Sequence, residues 1–250
     1  MKKSFKTLFT VLLILILAMT LSSCKKQESG IGTLKVGVRG NVANFGLYDE
    51  DTDSYFGMDI DLAEMIAADL GYANVEYVRV FPETRESALE KGEVDCVIAC
   101  YTITEERKKI VDFSPAYFTD KTVIMVEKSS LMQDVSSLKG AKIGYLKNTN
   151  SMDVVVKALP EGFKLQFVEY EDAEDMIAAM EYGKIDGVTE DRSMCLSYLT
   201  DERFIIPASF SDQPFGIATK KGSALSSKIT DLVLKYKEDG KLQELSDKWQ

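Results

Sequence analysis

An apolar run that ends in hydroxyl groups and one arginine is the first place where this chain could bind a ligand. Val97 to Ala99 suit a buried strand, and Thr102 and Arg107 follow them. Open α/β sheets bind ligands beyond the carboxyl ends of their strands, and an arginine fork matches a carboxylate. A helix beginning near Glu105 would add backbone N–H donors. The pattern predicts a carboxylate site; the alternative is a surface turn with a capping threonine.

The elements that would position this site occur twice along the chain. Lys35–Val38 is echoed by Lys142–Tyr145, each an apolar-rich strand followed by a polar loop. Ala88–Asp95 is matched by Ala179–Asp186, each a helix end, a glycine and a strand led by an acid. Apolar residues recur at helical spacing between these strands, and strands that alternate with helices form parallel sheets. We therefore predict an α/β protein of two similar lobes.

A longer pattern resembles that of a known family. The acid-led strand is followed by Thr102-Ile103-Thr104, by Arg107 and then by Asp112-Phe113-Ser114, with Tyr117 three positions further on. Over about Leu34 to Trp249, the chain resembles the extracellular amino-acid-binding proteins that feed ABC importers, solute-binding family 3. Membership would make the protein a carrier of amino acids to a membrane permease.

The resemblance implies a two-lobed α/β fold of the periplasmic-binding-protein type II, in which each lobe is a mainly parallel sheet flanked by helices. Residues 33–117 and 216–250 would form lobe 1, and residues 121–211 would form lobe 2. The chain would cross between the lobes twice, in hinge segments at 117–121 and 211–215. A continuous two-domain chain is the alternative.

The resemblance also implies a cleft that holds an α-amino acid. Arg107 would pair with the α-carboxylate, while Thr102 and the backbone near Cys100 would bind the ligand's backbone atoms. Thr149 would donate from a helix start. Asp191 would accept the α-ammonium, or would instead cap the helix that follows it. The candidate ligand-binding residues are Arg39, Phe81, Arg85, Cys100, Tyr101, Thr102, Arg107, Asn148, Thr149, Asn150 and Asp191.

Two further arginines set our expectation for the ligand side chain. Arg39 follows the first strand and Arg85 opens a helix, in places that resemble those of basic residues in acidic-amino-acid binders. We therefore expect glutamate or aspartate, with glutamine, cystine or a basic amino acid as alternatives. Glu190 opposes this expectation because a further carboxylate would repel a dicarboxylate. Arg85 would alternatively make only surface ion pairs with its acidic neighbours, Glu83, Glu86 and Glu90.

Many relatives place an aromatic residue in the loop after the first strand, where it stacks on the ligand. The loop here contains Val42, which cannot stack in this way. Phe45 and Phe81 are the candidates to replace the missing ring.

The N-terminus is typical of an exported protein. Lysines precede a largely apolar run from Leu8 to Leu21, so residues 1–23 are predicted to be a signal peptide rather than an uncleaved anchor helix. Leu-Ser-Ser-Cys resembles a bacterial lipobox. We expect lipid on Cys24, a polar tether over residues 24–32, and an extracytoplasmic protein anchored to the membrane.

Composition excludes several functions. The chain has no histidine, which excludes histidine-based catalysis, and its formal net charge of −10 argues against nucleic acid as a partner. Cys96 and Cys100 are expected to be packed thiols, without a metal or cofactor. We expect a monomeric binding protein that is not an enzyme. The rival interpretations are a ligand-sensing module and an enzyme similar to cyclohexadienyl dehydratase.

Overall fold

The computed structural model describes residues 30–250, which form two lobes, each built around one sheet. The predicted signal peptide, Cys24 and most of the predicted tether lie outside the described residues. In lobe 1 and its return segment the elements are β1 (Thr33–Val38), β2 (Asn41–Val42), β3 (Gly46–Asp49), β4 (Ser54–Phe56), α1 (Met58–Leu70), β5 (Asn74–Arg79), α2 (Arg85–Lys91), β6 (Cys96–Val97), β7 (Val111–Phe113), β14 (Ala218–Lys220), α6 (Ala224–Glu238) and α7 (Lys241–Trp249).

Lobe 2 lies between these segments in the chain. Its elements, with the two crossing strands, are β8 (Phe118–Glu127), β9 (Lys142–Leu146), α3 (Ser151–Ala158), β10 (Gln166–Tyr170), α4 (Ala173–Glu181), β11 (Gly187–Asp191), α5 (Arg192–Ser197), β12 (Arg203–Ile205) and β13 (Asp212–Phe215). In this part of the chain, between residues 30 and 250, no helix has the length and apolar character needed to cross a bilayer.

The two sheets have the same plan. The first has the strand order β5-β1-β6-β14-β7, and the second has the order β10-β9-β11-β8-β12. In each sheet the first three strands pair in parallel, and every pairing beyond them is antiparallel. The predicted fold class is confirmed, and the antiparallel strands of each sheet are those on the side of the crossings. The echoed segments β1 and β9 occupy the same place in their sheets.

Glycine ends two helices of lobe 1, as the pattern over Ala88–Asp95 predicts for the second of them. α1 ends at Gly71 and α2 at Gly92, with φ of 79° and 72°, and both glycine N–H groups bond to carbonyls of the last turn. These left-handed conformations are easy only for a residue without Cβ. Leu62 and Ile66 of α1 are fully buried, so the apolar stripe forms core as expected.

Two antiparallel strands connect the lobes. β8 leaves lobe 1 and β13 returns to it, and they pair from Phe118 opposite Phe215 to Lys121 opposite Asp212. Phe45 packs edge-on against Phe118 and Phe215 at ring distances of 5.0 and 5.8 Å. Phe45 is therefore core, and the expectation that it stacks on a ligand is wrong, because its ring is 0% exposed.

The two lobes also contact each other directly, beside the paired strands β8 and β13. The Ala43 N–H donates to Ser197 Oγ at 2.8 Å, and Arg107 Nη2 donates to the Asn148 carbonyl at 3.1 Å. Each of these bonds joins lobe 1 to lobe 2. The described arrangement is therefore a closed one.

Candidate functional site

Arg107 lies on the lobe 1 wall of the cleft, where the sequence predicts it. Its Nη1 donates to the Thr102 carbonyl at 2.9 Å, and its guanidinium lies 4.9 Å from the Tyr101 ring centre. Burial lowers the pKa of Arg107. The predicted helix near Glu105 is not formed: only a single 3-10 turn, Arg107–Lys109, follows. The arginine is thus held by a carbonyl and a ring, without the support of an α-helix N-terminus.

Arg85 lies in the cleft wall and not on the surface. Its guanidinium stacks 3.6 Å above the Tyr101 ring, and the residue is 4% exposed. Burial, reinforced by the nearby charge of Arg107, lowers the pKa of Arg85 to about 9. Its Nε is buried without a hydrogen-bond partner in the described part of the chain. The alternative of exposed ion pairs is therefore wrong, because the guanidinium is enclosed by the protein and is not on the surface.

Arg39, like Arg85, is buried and has an unpaired Nε among the described residues. It is 7% exposed, and its Nη2 donates to Asn41 Oδ1 at 3.2 Å. Its Nε also lacks a partner among residues 30–250. A buried guanidinium with an unused donor is costly unless an acceptor meets it, so both side chains are suited to a ligand oxygen.

A buried acid fixes the turn that carries this wall. Cys100 has a φ of 48°, a left-handed conformation that non-glycine residues rarely adopt. Its N–H donates to Asp59 Oδ2 at 3.2 Å, and the Tyr117 hydroxyl donates to Asp59 Oδ1 at 2.8 Å. The Cys100 N–H is thus already paired within the protein. Burial of the fully enclosed Asp59 raises its pKa to about 6.

Glu190 organises the opposite wall. Its Oε1 accepts three hydrogen bonds, from the Leu146 N–H at 2.9 Å, Thr149 Oγ1 at 3.2 Å and Ser151 Oγ at 3.3 Å. Burial raises the pKa of Glu190 to about 7. These bonds hold the loop between β9 and α3, whose Asn148 carbonyl receives Arg107.

Asp191 is at the N-cap position of α5, but its side chain makes no capping bond. Asp120 of β8 takes that role instead, since its Oδ2 accepts from the Ser193 N–H at 2.9 Å. Burial and the charges of Glu190 and Asp120 raise the pKa of Asp191 well above its usual range. The capping alternative is therefore wrong. A cation placed beside Asp191 would relieve this unfavourable environment.

Most of the predicted residues line one small cavity between the lobes. Its free volume is about 30 Å³, room for one or two water molecules. The lobes must therefore move apart to admit an amino acid. The lining residues are Arg39, Val42, Pro82, Arg85, Cys100, Thr102, Arg107, Leu146, Thr149, Asn150, Glu190, Asp191, Ser193 and Met194.

Three predicted residues are not part of this lining. The ring of Phe81 stacks with Arg79 at 5.1 Å, outside the cavity. Tyr101 is fully buried beneath Arg85 and Arg107 and supports them from behind. Asn148 is exposed at the rim and contributes its carbonyl. Asn150 does line the cavity, and it also donates to Gln213 of the hinge strand at 2.8 Å.

Comparisons with known proteins agree with a two-lobed binding protein. Residues 34–250 match the family of bacterial extracellular solute-binding proteins, family 3. The chain belongs to this family. It is 33% identical over 236 residues to an ABC transporter glutamine-binding protein of Bacillus subtilis, covering 92% of this chain and 84% of that protein. It is also 35% identical over 207 residues to a glutamine-binding protein of Geobacillus stearothermophilus, covering 81% of this chain and 76% of that one.

Solved structures of amino-acid-binding proteins share the fold. An ancestral arginine-binding protein bound to glutamine superposes with a TM-score of 0.76 at 34% identity, covering 87% of this chain and 97% of that one. The family is extracytoplasmic and binds amino acids for ABC transporters, which agrees with the resemblance found in the sequence. An ancestral amino-acid-binding protein described as a precursor of cyclohexadienyl dehydratase has the same TM-score of 0.76, at 30% identity.

Sequence reasoning missed two functional neighbours of this family 3 cleft. Asp59 lies in the first turn of α1, and Asp120 falls in the predicted hinge segment at 117–121. Both are buried, and each bonds to a backbone N–H far away in the chain: Asp59 to Cys100, and Asp120 to Ser193. No spacing rule could have found these contacts, which join residues on different elements.

Proposed function

We propose that this protein captures a polar α-amino acid between its lobes and delivers it to a membrane permease of an ABC importer. The observation that carries the proposal is the pair of groups on opposite walls. Arg107 lies on one wall, and Asp191, whose side chain makes no capping bond, lies on the other. A zwitterion needs an opposite charge at each end when it loses its water.

In the proposed complex, Arg107 binds the α-carboxylate and Asp191 binds the α-ammonium. Arg107 now donates to the Asn148 carbonyl, and a carboxylate is a stronger acceptor for a guanidinium than a carbonyl. The ligand would thus replace a weak bridge between the lobes with a stronger one. Because it contacts both walls, it binds the closed form better than the open form and shifts the population toward closure.

The charges around the cleft favour glutamine as the first candidate ligand. The expectation of glutamate or aspartate is based on Arg39 and Arg85 and does not take the buried acids into account. Arg39, Arg85 and Arg107 line the cavity with Glu190 and Asp191, and two further buried acids lie close behind this lining, Asp59 near Arg39 and Asp120 near Asp191. A ligand of zero net charge suits this balance better than an anion. Two relatives described as glutamine-binding support the same candidate.

Glutamate and aspartate stay as second candidates, since the unpaired Nε atoms of Arg39 and Arg85 are suited to any side-chain oxygen. A basic amino acid would place its cation against the same two arginines. Cystine would need more room than the other candidates, because it carries two amino-acid groups.

The test is isothermal titration calorimetry with the common amino acids. We expect Arg107→Ala and Asp191→Ala each to weaken binding roughly 100-fold or more, since each leaves a buried ligand charge unpaired. Lys108→Ala is the matched control, because Lys108 is the next residue, is exposed and forms an ion pair with Glu105 at 2.7 Å on the surface. Full affinity in both cleft variants would contradict the proposed site.

The wider assignment is also a proposal. We infer that the protein acts as a monomer, is anchored through lipid on Cys24 and works with a separate permease. Catalysis is not required by the geometry: three donors of one loop already occupy Glu190 Oε1. Turnover of prephenate or arogenate would favour the enzyme alternative. Genes for a permease and an ATPase beside this one would favour import over sensing.

A further inference from the structure

Glu190 has two oxygen atoms with different surroundings. Oε1 accepts all three bonds from the loop between β9 and α3. No described residue donates to Oε2, although the side chain is 4% exposed and lines the same cavity as Arg39 and Arg85. One acceptor oxygen of Glu190 is therefore left for a ligand.

We propose that Glu190 is a specificity-determining residue that selects an amide side chain over the carboxylate of the same length, and so glutamine over glutamate. The proposal rests on the amino-acid-binding function proposed above. It assigns the ligand's side-chain contacts and does not involve Arg107 or Asp191, which bind the two backbone ends.

The selection follows from matching donors to acceptors. A glutamine side chain offers a carbonyl oxygen, which the free Nε donors of Arg39 and Arg85 can bind, and an NH₂ group, which Glu190 Oε2 can accept. Glutamate offers two acceptor oxygens and no donor. It would place one of them against Oε2, where like charges repel and no hydrogen bond can form. A site built to accept a bond rejects an analogue that cannot donate it.

Protonation of Glu190 would remove this selection, because a neutral carboxyl can donate to a carboxylate. The charged and titratable groups around it are Arg39, Arg107, Asp120, Asp191 and Cys195. Asp191 binds the ammonium group that both ligands share, so its titration cancels in their affinity ratio. The ratio therefore reports on Glu190.

Calorimetry with glutamine and glutamate tests the proposal, using wild-type protein, Glu190→Gln and Asp186→Asn. The amide introduced by Glu190→Gln keeps an oxygen for the three loop donors and turns the free position into a donor. Asp186 is the matched control because it makes the same kind of bond at the other end of β9, accepting from the Lys142 N–H at 2.7 Å. We expect the wild type to prefer glutamine, and the preference to fall roughly tenfold to a hundredfold in Glu190→Gln only.

The pH dependence of the ratio of the glutamine and glutamate affinities is a second test, and it needs no variant. Between about pH 8 and about pH 5.5, the wild-type preference for glutamine should shrink, while the side chain of free glutamate stays ionised. In Glu190→Gln the preference should not change with pH.

The outcomes separate this proposal from the function it rests on. A preference for glutamate in the wild type, or one unchanged by both Glu190→Gln and pH, would overturn the role of Glu190 and leave amino-acid binding intact. Binding of other amino acids but of neither glutamine nor glutamate would do the same. A wild-type protein that binds no amino acid would overturn both. If Glu190→Gln fails to fold, the wild-type pH series still decides.

Discussion

Asp59 makes the stability of the protein depend on pH. Its carboxyl is fully buried and accepts from Cys100 and Tyr117, and burial raises its pKa from 3.8 to about 6. The folded protein therefore holds this proton more tightly than the unfolded chain does. The stabilisation is fully present below pH 3.8 and is lost as pH rises through about 6, and the difference corresponds to about 3 kcal/mol.

The perturbation is Asp59→Asn, which cannot titrate. Urea unfolding at about pH 4 and about pH 7.5 gives the free energy of unfolding at both ends of the window. The free energy of unfolding of the wild type should fall between these two pH values as Asp59 ionises. In the variant this fall should be smaller by roughly 2 to 3 kcal/mol. The comparison uses the pH dependence and not one stability value, because Asn also alters the two hydrogen bonds.

Glu105→Gln is the control for this prediction. Glu105 is exposed, and Lys108 lowers its pKa, so its contribution has the opposite sign and falls in the acid range. An identical pH dependence in wild type and Asp59→Asn would refute the reasoning, since it would mean that Asp59 titrates alike in both states.

Three further changes have defined outcomes. Gly57→Ala should lower the free energy of unfolding by about 2 to 4 kcal/mol in urea titration, because φ is 129° and a Cβ would lie 2.1 Å from the Phe45 carbonyl oxygen. Ser197→Ala removes the bond to the Ala43 N–H, and should weaken ligand affinity by about 1 kcal/mol in calorimetry by favouring the open form; unchanged affinity would contradict this. Cys24→Ala should abolish incorporation of a fatty-acid analogue, and labelling that persists would end the lipoprotein proposal.

The fold could be predicted largely from local patterns. The similar segments Lys35–Val38 and Lys142–Tyr145 form β1 and β9, which are each the second strand of their sheet. The glycine stops at Gly71 and Gly92 end helices because left-handed backbone is a property of the residue itself. The antiparallel half of each sheet was not predicted, since those pairings depend on where the chain crosses between lobes.

The residues proposed to bind the two backbone ends of the ligand were easier to place from the sequence than those proposed to bind its side chain. Asp191 is the last residue of β11 and Arg107 comes ten positions after β6, and the loops beyond the ends of parallel strands meet at one edge of a sheet. Phe81 is expected in the cleft only as a replacement for the missing ring of the loop after the first strand. Its ring instead stacks with Arg79, because neighbours along a chain can face different sides of an element.

The sequence by itself determined the two-lobed α/β class and the family, because the pattern that carries them can be read along the chain from about Leu34 to Trp249. Only the tertiary structure decided the charge balance of the cleft. Asp59 and Asp120 approach Cys100 and Ser193 across 41 and 73 positions of the chain. Electrostatic interactions depend on distance in space and on burial, and neither can be read from spacing along the chain.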